Sequence, residues 1–118
     1  MVGFIDDGND PVNSAKIRAL NDQLRTTMTG GKVMLSAGIA AMDLLAQARV
    51  LAAVRTFDGF NAENDPWHEH DMGALDVDGN RIFFKHDYYD PTLSYLSDDP
   101  ADPTKTARVL TIMLAHEY

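Results

Sequence analysis

Cysteine is absent from the 118 residues, which excludes disulfides and thiolate-bound metals and fits a reducing compartment. No apolar run approaches the roughly 20 residues that a membrane-spanning helix requires. The opening residues, MVGFIDDGNDP, are acidic where a secretory signal would be basic, so a cytoplasmic protein that does not engage membranes is expected. Positive charge is also scarce: 10 Lys and Arg stand against 18 Asp and Glu, for a net charge of −8. The deficit lies in one part of the chain, because residues 1–56 hold 6 basic and 5 acidic side chains (+1) while residues 57–118 hold 4 and 13 (−9). Such a field repels nucleic acid and steers the chain toward cations or a basic protein surface.

Catalytic signatures are missing as well. Gly30-Gly31-Lys32 lacks the full phosphate-loop spacing and precedes a strand candidate where a helix is required, so it reads as a turn. Asp76 to Asn80, DVDGN, starts like a calcium loop, but Asp87 stands at the twelfth position where glutamate belongs. Ser94 and Ser97 sit in a loop without the strand-turn-helix setting of a hydrolase nucleophile. No catalytic residue is assigned on these grounds, no cofactor is expected, and binding is favoured over catalysis.

The clearest positive signal is Asp78-Gly79 between two β-favouring runs, a pairing suited to the positive φ angles of a two-residue hairpin turn. That turn sets Leu75 opposite Ile82 and Asp76 opposite Arg81, and places His70 opposite Asp87. Alternation then puts Val77, Leu75, Ile82 and Phe84 on one face, the better core candidate, and Asp76, Ala74, Met72, Arg81, Phe83 and Lys85 on the other.

Around the hairpin, residues 1–12 read as an N-terminal arm and 13–118 as one domain. Ile17, Leu20, Leu24 and Met28 share a helical face after a cap at Asn13 or Ser14, with a stop at Gly30-Gly31. Lys32–Ser36 is a short strand candidate. Asp43–Phe57 is a second helix capped by Asp43, with Leu44, Ala48, Leu51 and Val54 or Arg55 as its stripe. Asp58–Trp67 is a loop, and the proline- and aspartate-rich stretch after Tyr89 is a long acidic connection, which Leu93, Tyr95 and Leu96 pack down. Asp102 as cap and Pro103 at the first helical position predict a third, deeply buried helix over Thr104–His116. The order α-β-α-β-β-α implies an α+β domain, with a small antiparallel or mixed sheet of about three strands packed by three helices.

Four blocks, TGGKVMLSAGIAA, ARVLAAVRTFDGF, NDPWHEHDMGALDVDGNRIFFKHDYYD and SDDPADPTKTARVLTIMLAHEY, resemble a family of small uncharacterised proteins classed as a domain of unknown function. The family is found in proteobacteria, notably alphaproteobacteria and their plasmids and prophages. The resemblance spans Ile17 to Tyr118 and departs at Met42–Leu45, where the family's helix starts with proline. It implies no activity, but it does imply a context, since small acidic proteins of mobile elements often inhibit host defence, in anti-CRISPR or anti-restriction fashion.

Two constellations remain. Aromatic rings inside an acidic rim suit the docking of a basic protein surface, the rings giving contact area and the carboxylates steering. Trp67, Asp87, Tyr89, Asp90, Asp98 and Asp99 are the residues expected to bind such a partner, a basic, nucleic-acid-handling complex, with no direct contact to nucleic acid. The alternative is a metal site, in a metal-binding protein or metal-dependent hydrolase, built from His68, His70 and Asp87 at the end of the hairpin.

Overall fold

The hairpin turns where the dipeptide says it should. In the computed structural model, which describes residues 11–118, Asp78 and Gly79 adopt φ of 52° and 82°, the doubly positive geometry of a tight two-residue turn. Strand β2 (Met72–Val77) and strand β3 (Asn80–Tyr89) run antiparallel from it, with Leu75 opposite Ile82 and Asp76 opposite Arg81.

Six further elements surround the hairpin. Helix α1 spans Pro11–Thr27, strand β1 Lys32–Leu35, helix α2 Ala37–Ala40, helix α3 Leu44–Arg55 and strand β4 Ala107–Leu114, and a 3-10 turn covers Ala115–Glu117. The architecture is α+β: three helices against a four-stranded mixed sheet of order β1-β4-β3-β2, in which β1 and β4 are parallel and the other pairs antiparallel. Residues 1–10, most of the expected N-terminal arm, lie outside the described residues, and α1 begins at Pro11.

The main correction concerns residues 104–116, which form no α-helix. Ala107–Leu114 is a central strand, with Lys85 opposite Thr111 on one side and Met34 opposite Thr111 on the other. Burial follows a period of two at first, since Arg108, Leu110 and Ile112 are buried and Ala107, Val109 and Thr111 less so. Val109, Thr111 and Ile112 are β-branched, which favours the pleated backbone. Asp102 caps a local turn instead, accepting hydrogen bonds from the Thr104 amide and hydroxyl.

Register divides the sheet into two faces. Val77, Ile82, Phe84, Leu110 and Ile112 point to one side, where they form the core with Leu24 of α1, Ile39 of α2, and Val50 and Val54 of α3. Phe84 is the centre of this layer, with Phe57 edge-on at 5.3 Å and Phe60 at 6.2 Å. Gly73 lies directly opposite Phe84, and a Cβ there would stand 2.6 Å from the ring. Leu44 and Ala48, expected on the buried stripe of α3, face solvent. The helix is apolar around most of its circumference, so composition does not choose the face; Val50 and Val54, four residues apart, do.

Among the described residues, no α-helix contributes to the opposite sheet face. Met34, Met72, Ala74, Phe83, Lys85, Asp87, Tyr89, Thr111 and Met113 fall on it by register. Tyr118 folds back over part of it, edge-on to Phe83 at 5.6 Å. The C-terminal turn is tied down by Glu117, which accepts hydrogen bonds from the Ser36 hydroxyl and from the amides of Gly38 and Leu114.

Candidate functional site

The acidic connection after β3 is a built loop. Tyr89 bridges to Leu96, the Asp90 amide donates to the Tyr95 carbonyl at 2.8 Å, and the Ser97 amide donates to the Tyr88 carbonyl at 3.0 Å. The Asp90 carboxylate fills the turn by accepting from the amides of Ser94 (3.0 Å) and Tyr95 (3.1 Å) and from the Thr92 hydroxyl. Those donors, the Tyr95 amide foremost, hold its carboxyl below the usual range. Further on, the Ser97 and Thr106 hydroxyls meet at 2.8 Å, and the Thr106 hydroxyl donates to the Asp99 carbonyl.

This scaffold presents apolar side chains to solvent. Tyr95 and Leu96 are each 76% exposed and Leu93 is 43% exposed. The expectation that these residues pack the loop down is therefore corrected, because the loop is held by its backbone and by Asp90, leaving the large side chains free. Asp98 is exposed beside them and Asp99 half-buried. Among the described residues, Asp90, Asp98, Asp99 and Asp102 form no ion pair.

The other expected binding residues lie apart from one another. Asp87 and Tyr89 line a hollow of about 400 Å³ on the open sheet face, together with Lys85, Thr111 and Met113. Lys85 sits 2.9 Å from Asp87, and that hydrogen bond raises the lysine above its ordinary range. Trp67, 47% exposed, lies instead beside the start of α1, where it shares a hollow of about 250 Å³ with Pro11, Ser14, Arg18 and His68. Asp90 continues directly from Tyr89, so Asp87, Tyr89, Asp90, Asp98 and Asp99 follow β3 and its loop while Trp67 belongs to the helix side.

His68, His70 and Asp87 are not brought together. Both histidines have positive φ, 58° and 53°, so the chain turns before β2 begins and the alternation expected from the hairpin does not extend to them. The Nδ1 of His70 lies 2.8 Å from the Asp22 carboxylate of α1, its Nε2 lies 3.7 Å from Asp65, and its ring stacks on Phe60 at 3.9 Å. Asp87 is on the open face with Lys85. Among the described residues, no three histidine, aspartate or glutamate side chains converge as a metal site would require.

What the sequence reading missed is a buried polar layer between α1 and the far end of the sheet. Asn21, fully buried, donates to the Glu69 carbonyl and the Tyr88 hydroxyl and accepts from Nε of Arg108 at 2.7 Å. The Tyr88 hydroxyl in turn donates to the Glu69 carboxylate at 3.0 Å. Burial is the largest influence on each titrating member, pushing Glu69 and Tyr88 up and Arg108 down. Arg25, off the apolar stripe of α1, is nonetheless buried, and it donates to the carbonyls of Val54 and Phe57 at the end of α3 and to Asp22. Asp65 accepts from the amides of Glu69 and His70, closing the turn that carries Trp67. A helix face of Ser14, Ile17, Asn21, Leu24 and Arg25 keeps the helical spacing, but three of its five members are polar, so a search for apolar periodicity passes over them.

Asn21, Tyr88, Glu69 and Arg108 bond to one another in this layer, while the Nε of Arg25 is buried without a hydrogen-bond partner. Comparison with known proteins adds membership without activity. No curated protein and no solved structure matches the chain. A family model does match over residues 35–117, from the end of β1 to the C-terminal turn, and the chain belongs to the family described as "Protein of unknown function (DUF3768)".

Proposed function

We propose that this protein is a non-catalytic, acidic interaction domain that binds a basic surface of a partner protein. The observation that carries the reading is the loop from Asp90 to Asp99, in which Tyr95 and Leu96 stand out from a hydrogen-bonded scaffold, beside aspartates that form no ion pair among the described residues. A loop already ordered loses little conformational entropy on binding, and exposed aromatic and aliphatic side chains beside carboxylates supply contact area and steering together. The −9 balance of residues 57–118 favours a partner whose surface otherwise meets phosphates. The specific form of the proposal is a cytoplasmic inhibitor, carried on a bacterial mobile element, that occupies the nucleic-acid-handling surface of a host defence complex in the manner of anti-CRISPR or anti-restriction proteins. Asp87 and Tyr89 extend the contact along β3.

The test starts with capture of a stoichiometric partner from bacterial lysate, followed by kinetics with the purified pair. Asp98→Asn with Asp99→Asn is expected to slow association, with an effect that fades as rising salt shrinks the Debye length below roughly 8 Å. Tyr95→Ala with Leu96→Ala is expected to speed dissociation at every salt concentration, by about 1 kcal/mol or more. A partner indifferent to salt and to both double variants refutes the reading.

A further inference from the structure

A two-residue turn dictates which backbone groups of β2 are used. Val77 with Asn80, Leu75 with Ile82 and Gly73 with Phe84 are the hydrogen-bonded pairs, so Ala74 and Asp76 aim their N–H and C=O groups away from β3. β2 is the last strand of the sheet. Among the described residues, no loop or side chain bonds to those outward groups of Ala74 and Asp76.

Beside this edge lies a hollow of about 380 Å³ whose walls include Glu63, Pro66, Met72, Ala74 and Phe83. Met72, Ala74 and Phe83 belong to the open sheet face, so the hollow sits where alternate side chains of an added strand would point. Ala74, the smallest of the three, leaves the room. From Thr56 to Asn80 the chain has seven Asp and Glu and no Lys or Arg; Asp65 is buried and Asp76 and Asp78 are paired with Arg81 and Arg49, but Glu63 forms no ion pair among the described residues. Exposed Glu63 stands at the hollow itself.

We propose that the β2 edge takes up an extended segment of a basic partner as a fifth strand. One apolar side chain of the segment fills the hollow beside Met72, Ala74 and Phe83, and a Lys or Arg next to it meets Glu63. Main-chain bonds to Ala74 and Asp76 supply affinity and the hollow supplies selectivity, the division of labour in strand addition. A second copy of this chain is the poorer occupant, since β2 itself carries no Lys or Arg to meet Glu63. The inference rests on the binding reading above and names the form in which part of the partner is held.

A random dodecapeptide display library panned against the immobilised full chain tests it. Enriched peptides are expected to alternate apolar residues with Lys or Arg and to slow hydrogen exchange at the Ala74 and Asp76 amides. Ala74→Pro deletes only an outward donor, the kind of edge position at which proline is tolerated; it is expected to weaken those peptides about tenfold, or 1.4 kcal/mol. Ala74→Leu keeps the donor and fills the hollow, and a comparable loss is expected, so the test stands even if the proline variant fails to fold. No enrichment, peptides indifferent to both variants, or protection of the two amides by self-association without peptide would each overturn the proposal. The two readings fail separately. A partner that needs Tyr95 and Leu96 but ignores Ala74→Leu leaves the loop reading standing and removes the edge. Peptides that need Ala74, beside a captured partner indifferent to the loop variants, do the reverse.

Discussion

Acid should weaken this fold through one buried imidazole. His86 lies on the core face of β3 between Phe84 and Tyr88; its Nδ1 is 3.0 Å from the Asp71 carbonyl, and its Nε2 is buried without a hydrogen-bond partner. Burial, with Arg108 and Arg25 nearby adding positive charge, lowers its pKa from 6.5 to about 4. The unfolded chain therefore binds a proton between these values that the folded chain refuses, so stability is full above pH 6.5 and is lost as pH falls toward 4. At about 1.36 kcal/mol per pKa unit, the loss amounts to roughly 3 kcal/mol by pH 4. Glu69 and Asp71 act in the opposite direction, because burial raises both carboxyls and acidification favours their folded forms. Comparing the wild type with His86→Leu cancels these shared contributions. Urea denaturation at pH 7, 6, 5 and 4 is expected to show the variant's disadvantage shrinking or reversing on acidification, by about 3 kcal/mol across the series. A stability difference that stays constant over that range would refute the account of His86 as a neutral buried group.

Two further substitutions probe the core. Gly73→Ala places a methyl 2.6 Å from the buried Phe84 ring and is expected to cost about 1–3 kcal/mol in denaturant titrations, with part of that cost relieved when Phe84→Leu is added. Leu110→Ala, at a fully buried position of the central strand, is expected to cost about 2–5 kcal/mol; a loss below about 0.5 kcal/mol would place the strand at the surface.

The parts of the fold legible in sequence are those set by local chemistry. Asp78-Gly79 fixed the turn, and a two-residue turn admits one register, so the facing pairs and the buried face of the hairpin followed. Helix α1 was visible through Ile17 and Leu24, though it ends at Thr27 with Met28, at φ 58°, in the left-handed position ahead of the glycines. β4 was misread because six of its eight residues are apolar, and a short apolar run that follows Asp-Pro looks the same as a buried helix segment. Length and the β-branched residues were the signals that could have decided it. The four-residue α2 was invisible for want of a period, although Ser36 caps it and accepts from the Ile39 amide. The histidine cluster failed for a related reason: extending strand alternation back to His68 and His70 assumed extended backbone, and both residues sit at positive φ.

A count of carboxylates also overstates the field that a partner would feel, and the structure says where the remainder lies. Asp65 is buried, Glu69 and Asp71 face inward, and Asp76, Asp78 and Asp87 are paired with Arg81, Arg49 and Lys85. Exposed pairs of this kind contribute about 0–1 kcal/mol to stability, but they cancel charge at a distance. Among the described residues, Asp90, Asp98, Asp99 and Asp102 form no ion pair, and they occur together after β3 in a stretch with no Lys or Arg between Lys85 and Lys105. The same stretch presents Tyr95 and Leu96. Long-range steering and short-range contact area therefore coincide on one loop, and it is this coincidence, more than the net charge of the chain, that makes the loop the place to begin.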